Sequence, residues 1–225
     1  MKKYVFIINA HPDDLIGTAG LALILAGNAG YELKIVDFSR GERGLAHQNV
    51  PMAECAAMRT IEEKNACALL GVEPIFLDEI DGEISAPRET CEELAALFRQ
   101  FPPCAVFTHW PVDRHIDHVM TGAATLNALR IAQLKPEVFF HHQTPQTLNM
   151  PFLHYIGFGE RIMQKKCELI RHYVCQNGDH LADRKLCEGR FLGFKAQMPY
   201  AEAYGSYQLA GESSAFFGSL PRVTE

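Results

Sequence analysis

Apolar positions along the chain come in short runs, and the runs alternate between two periods. Val5–Asn9 is nearly continuous and apolar, the pattern of a strand buried on both faces. Asp14–Ala29 follows, rich in Leu, Ile and Ala, and predicts a helix stopped at Gly27-Asn28-Ala29-Gly30. Leu33–Phe38 predicts a second strand, Met52–Leu70 a long helix stopped by Gly71, and Ile75–Leu77 a short third strand. Thr90–Phe101 predicts a helix cut off by Pro102-Pro103. Ala105–Thr108 predicts a strand, Asp117–Ala132 a helix and Val138–His141 a fifth strand. Residues 145–158 are less regular, Glu160–Tyr173 is helical in period, and the Gly- and aromatic-rich remainder carries no pattern that places it. Strands alternating with helices predict an α/β fold, Rossmann-like, with a mostly parallel sheet and helices on both faces.

Composition narrows this picture. The chain has 225 residues, 48% of them hydrophobic, enough for one core, so residues 1–225 are expected to form one domain. The formal net charge is -6 with acids and bases intermixed, and no basic run points to nucleic acid or an anionic membrane. The apolar stretches fall short of the roughly 20 residues of a membrane span. The start, Met1 to Asn9, has two lysines and a brief apolar run. It reads as a first strand, because a leader peptide needs a longer apolar part and a small-residue cleavage site. The seven cysteines are odd in number and form no CxxC pair. Such usage points to reduced thiols in a cytoplasm, away from a disulfide framework or a cysteine-rich zinc site.

Ligands of open parallel sheets bind beyond the carboxyl ends of the strands, and there the polar residues gather. His11, Asp13 and Asp14 follow the first strand and Ser39-Arg40-Gly41-Glu42 the second. Asp78 and Asp81 follow the third, and His109 through His118 the fourth. In "HPDD", His11 and Asp14 are three apart across a strand-to-helix turn. In "DRHIDH", His115 and His118 are three apart at a helix start. Imidazole with carboxylate suits zinc, and three protein ligands leave a position open for water. Zinc lowers the pKa of a bound water to about 7, and a neighbouring carboxylate outside the ligand set can accept the proton. The plainer alternative is that Asp13 and Asp14 are caps and first-turn charges, with His115 and His118 ordinary residues of a helix start. Against it stands the joint occurrence of both stretches, each directly after a strand.

These residues resemble the LmbE-like, or PIG-L, family of zinc-dependent N-deacetylases. The resemblance runs from about Lys3 to Tyr204. It rests on "AHPDD" at 10–14, "SRGERG" at 39–44, "RTIEEKNACALLGV" at 59–72, "DG" at 81–82 and "DRHIDH" at 113–118. Weaker support comes from "KKCELIRHYVCQ" at 165–176, with Cys175 where the family has Ser, and from "AEAY" at 201–204. The resemblance implies that His11, Asp14 and His118 hold Zn2+, or another divalent metal such as Fe2+. Asp13 would be the general base, His115 the stabiliser of the oxyanion, and Asp117 the residue that orients an imidazole. Arg59 and Asp81 would contact sugar hydroxyls, with Glu42 supporting their pocket. Arg59 has a plainer alternative, a helix-surface ion pair with Glu62 or Glu63. The implied substrate is a small N-acetylated sugar conjugate of the N-acetylglucosamine type. Relatives often assemble into multimers, so a homo-oligomer is also implied.

One departure bears on the substrate. The family usually carries an acidic residue one or two positions after HPDD, whereas this chain runs Asp13-Asp14-Leu15-Ile16-Gly17. The three implied ligands survive that loss, but the loop that shapes the pocket changes. Two other readings therefore stand beside deacetylation: a different metal-dependent amidase on the same scaffold, and a catalytically impaired sugar-binding relative. A dinucleotide-binding protein is disfavoured because no GxGxxG follows the first strand. A serine hydrolase is disfavoured because no GxSxG is present.

Overall fold

A computed structural model describes residues 2–207 and 213–220. The chain alternates β1 (Lys3–Asn9), α1 (Ala19–Ala26), β2 (Tyr31–Ser39), α2 (Met52–Ala68), β3 (Ile75–Glu79), α3 (Arg88–Gln100), β4 (Pro103–His109), α4 (Ile116–Ala132) and β5 (Glu137–His141). It continues with β6 (His154–Phe158), α5 (Glu160–Arg171), α6 (Gly178–Ala196), β7 (Tyr200–Ser206) and the short α7 (Ala215–Gly218). The seven strands form one sheet in the order β3-β2-β1-β4-β5-β7-β6. Neighbours from β3 through β5 run parallel, while β7 is antiparallel to both β5 and β6. This is the expected α/β fold with a mostly parallel sheet.

The central strand β1 owes its place to residues that are apolar on both faces. Val5 and Ile7 belong to the core under α1 and α5, while Phe6 and Ile8 belong to the core under α3 and α4. All four are fully buried, each adding about 1.5–3 kcal/mol as an upper estimate. The strand pairs with β2 on one side and β4 on the other, so chain order reverses across β1. Its carboxyl end is therefore the topological switch point, where open sheets of this class bind ligands.

Several elements differ from the sequence pattern. The helix expected over Asp14–Ala29 is broken into a 3₁₀ turn at Asp14–Gly17 and α1 proper. Thr18 closes the first piece, its hydroxyl donating to Leu15 O at 3.3 Å. The second piece is capped from afar, because Glu202 on β7 accepts from the backbone N–H of Gly20 at 2.7 Å and of Leu21 at 2.9 Å. The irregular stretch 145–158 contains β6, and the unplaced C-terminal part supplies α6 and β7. Predicted boundaries elsewhere fall within about two residues of the observed ones, the usual scatter of helix and strand ends.

Candidate metal centre

The switch point is built from two strand ends locked together. Ala10, just past β1, donates its N–H to Nε2 of His109, the last residue of β4, at 3.0 Å. Ser39, the last residue of β2, holds Ala10 O through its backbone N–H at 3.0 Å and its hydroxyl at 3.1 Å. The turn that follows, His11 to Asp14, is thus anchored by three strands. Within it the Asp14 carboxylate accepts from the His11 N–H at 2.9 Å. Gln143 Nε2, two residues past β5, donates to Asp14 O.

Three buried side chains converge there. Single donor atoms of His11, Asp14 and His118 all lie within 4.8 Å of one another. His11 Nδ1 is 3.4 Å from Asp14 Oδ2, and His118 Nε2 is 3.4 Å from Asp14 Oδ1. At the roughly 2.0–2.2 Å bond lengths of zinc to nitrogen and oxygen, a nitrogen and an oxygen 3.4 Å apart subtend a nearly tetrahedral angle at an ion between them, so each imidazole is spaced to share one with Asp14. Each imidazole is fixed by a carboxylate behind it. His11 Nε2 lies 3.0 Å from Asp117 Oδ2 and 3.2 Å from Asp81 Oδ1, and His118 Nδ1 lies 3.2 Å from Asp113 Oδ1. If those nitrogens carry the protons, the opposite ones keep lone pairs for a metal, an arrangement typical of ligating histidines.

The charges fit a cation. Burial disfavours a charged His11, yet Asp117, Asp14 and Asp81 together hold it well above the usual histidine range. Burial likewise opposes a charged His118, and Asp14 and Asp113 overcome it to bring the ring to about 9. Asp14 feels the same contest in reverse: burial would raise it, but the imidazoles of His118, His109 and His11 hold it well below the carboxylate range. A cluster that draws protons onto two buried imidazoles is one in which a divalent ion replaces them favourably. His109 is different. Burial and the adjacent His118 push it down to about 4, so it is neutral and stacks on His118 with ring centroids 4.1 Å apart.

Asp13 stands beside this cluster but outside it. Its backbone is left-handed, with φ 98° and ψ -21°, a conformation that is uncommon and costly for a residue with a side chain. It makes no side-chain cap hydrogen bond. Instead the carboxylate accepts from Arg59 Nη2, and the same nitrogen donates to Pro12 O. Arg59 Nη1 donates to Gly41 O at 3.0 Å. Burial, opposed by Arg59 and reinforced by Asp14, pushes the Asp13 carboxyl up to about 7. The cap-only alternative for Asp13 is thereby removed. So is the surface ion pair considered for Arg59, which is only 4% exposed. Glu62 turns away to accept from Cys175 N at 2.8 Å, and Glu63 accepts from the Cys67 thiol at 3.2 Å.

The remaining residues singled out in the sequence gather around the same point. His115 precedes α4, its ring centroid 4.7 Å from that of His11. Asp81 Oδ2 accepts from Arg43 N at 3.0 Å, and Glu42 Oε1 accepts from Asp81 N at 3.0 Å. Arg59 is turned inward, onto Asp13 and two carbonyls, rather than standing open at the surface. Two close neighbours were not singled out. Asp113 backs His118, and its place at the head of "DRHIDH" is the signal that could have found it. In the sequence His109 is only the first residue of the polar stretch after the fourth strand, with no role assigned.

Sheet and cluster together define an α/β protein with a candidate metal centre at the switch point of its sheet. The chain belongs to the PIG-L family, described as GlcNAc-PI de-N-acetylase, which it matches over residues 6–129. It is 29% identical over 138 residues to 4-oxalmesaconate hydratase of Pseudomonas putida KT2440, a match covering 59% of this chain and 54% of that protein. The chain thus spans about half the length of that curated relative. Its fold is that of N,N'-diacetylchitobiose deacetylase from Pyrococcus horikoshii, at a TM-score of 0.76 and 23% identity over 90% of this chain and 82% of that one. It is also that of GalB, the 4-carboxy-2-hydroxymuconate hydratase of Pseudomonas putida KT2440, at a TM-score of 0.76 and 21% identity over 94% and 99%.

Proposed function

We propose that the chain is a metal-dependent hydrolase that removes the acetyl group from an N-acetylated amino sugar or glycoconjugate. The observation that carries this reading is the separation of two adjacent carboxylates. Asp14 faces His11 and His118, while Asp13 is held off that set by Arg59. His11, Asp14 and His118 would hold zinc or another divalent ion such as Fe2+, which when bound polarises a carbonyl and acidifies water. Asp13 takes the proton of the attacking water and returns it to the departing amine. Its carboxyl, raised toward neutrality, is suited to both transfers. Burial holds His115 in its neutral form, and it is placed to donate to the oxyanion that develops on the amide oxygen. Asp117, 3.0 Å from His11 Nε2, orients that ring. Asp81, supported by Glu42, would meet a sugar hydroxyl as the resemblance implies, whereas Arg59 is committed to Asp13 and two carbonyls and positions the base instead.

A second reading, hydration of an unsaturated oxo acid, is favoured by the 29% identity to 4-oxalmesaconate hydratase. Both chemistries begin with an activated water, and they differ in whether it meets an amide carbonyl or a carbon–carbon double bond. A panel of N-acetylglucosaminides assayed for free amine, beside 4-carboxy-2-hydroxymuconate assayed for loss of its conjugated absorbance, separates them. Amine release without hydration supports the first reading. Hydration without amine release supports the second.

A further inference from the structure

The centre described above uses one edge of the His11 ring, and the other edge faces a second set of donors. His11 Nε2 points at Asp117 Oδ2 and Asp81 Oδ1, 3.0 and 3.2 Å away. Donor atoms of His11, His115 and Asp117 again lie within 4.8 Å of one another. We infer that His11, His115, Asp117 and Asp81 form a second divalent-cation site, which shares the His11 imidazole with the first.

Three features carry this assignment. The first is geometric: at zinc bond lengths of about 2.0–2.2 Å, His11 Nε2 and the Asp117 and Asp81 oxygens 3.0 and 3.2 Å from it subtend roughly 90–100° at a common ion. The second is unmet hydrogen bonding. Asp117 is fully buried, yet its Oδ1 has no hydrogen-bond partner among the described residues, and neither has the buried Nδ1 of His115. Buried polar atoms are nearly always paired, and an orphan calls for an explanation such as an ion. The third is charge. Asp13 is paired with Arg59, and Asp14, Asp81, Asp113 and Asp117 still crowd around the two histidines His11 and His118. The pocket is therefore rich in carboxylates for one divalent ion alone.

Filling the site would place the His11 ring between the two ions, Nδ1 toward Asp14 and Nε2 toward Asp117 and Asp81. The consequence for turnover rests on the proposed hydrolase reading. An occupied second site engages His115 and Asp117, removing the oxyanion donor and the residue that orients His11, so excess metal slows the reaction.

The test is zinc stoichiometry of the full chain by equilibrium dialysis, starting from chelator-stripped protein. Wild type is expected to bind two ions per chain, the second more weakly. Asp117→Asn is expected to bind one. Saturation of wild type at one ion, or two ions in Asp117→Asn, overturns the inference. Should Asp117→Asn fail to fold by circular dichroism, His115→Ala, altered at a half-buried position before α4, gives the same reading. Failure of the primary centre shows differently, as retention of the tighter ion in both Asp14→Asn and His118→Ala.

Discussion

Nδ1 of His118 lies 3.2 Å from Oδ1 of Asp113, and this contact sets which nitrogen of the ring faces Asp14. Asp113 is itself held in place. Its Oδ2 accepts from the Thr147 hydroxyl at 2.8 Å and its Oδ1 from the His115 N–H at 2.8 Å. Asp113→Ala frees the His118 ring to rotate and removes the acceptor that raises its basicity. The expected result is a fall of about 10–100-fold in zinc affinity with the fold retained, measured by competition with a chromophoric chelator.

Arg59 acts on the neighbouring carboxylate. Its guanidinium joins Asp13, Pro12 O and Gly41 O, a spread that a single ammonium cannot reproduce. Arg59→Lys is expected to lower kcat by about 100-fold through misplacement of Asp13 while leaving zinc stoichiometry unchanged. Arg59→Ala is expected to cost about 3 kcal/mol in urea unfolding, the low end for a broken buried pair, because the Asp13 side chain keeps 21% exposure.

Gly122 governs how closely α4 approaches β4. A Cβ at this position would lie 2.7 Å from the backbone oxygen of His109, and neither main chain can yield without moving a histidine of the cluster. Gly122→Ala is expected to destabilise the protein by about 1–3 kcal/mol and to weaken zinc binding, because His118 lies one turn earlier on the same helix. Thermal melts in chelator and a zinc titration check the two effects separately.

A partly buried ion pair away from the centre gives the fold an acid-sensitive part. Burial alone would raise Glu188. Lys185 Nζ, 3.0 Å away, with His142 and Lys166, instead holds it well below the usual glutamate range. A depressed carboxylate contributes stability that is fully present above its unfolded pKa, near 4.5, and is lost as pH falls through the folded value. Glu188→Gln is therefore expected to be less stable than wild type at pH 7, with the gap closing in acid as Glu188 itself becomes neutral. Urea midpoints across that range test the sign.

How much of this was legible in the sequence follows from the range of the interactions. β1 and the run His11 to Asp14 were legible because a strand apolar on both faces must end where polar residues begin. His115 and His118 were legible for the same reason after β4. The role of Asp113 was not, because it depends on Thr147, 34 residues away. The break inside Asp14–Ala29 was hidden in the same way: its cap, Glu202, comes from β7 at the other end of the chain. α6 escaped notice because Gly178, Gly189 and Gly193 lower helix propensity. Their reason is tertiary, since a Cβ on Gly193 would lie 2.7 Å from Met198 O and from Tyr200 Cα.

The central claim is that Asp14 holds a metal while Asp13 moves a proton. It is tested most directly by following free-amine release from N,N'-diacetylchitobiose and N-acetylglucosamine with three samples: zinc-loaded wild type, chelator-stripped wild type and zinc-loaded Asp13→Ala. The account predicts release by the first alone, with Asp13→Ala retaining the tight zinc ion and losing at least about 100-fold in rate. Release by stripped protein, or by Asp13→Ala at the wild-type rate, would contradict it.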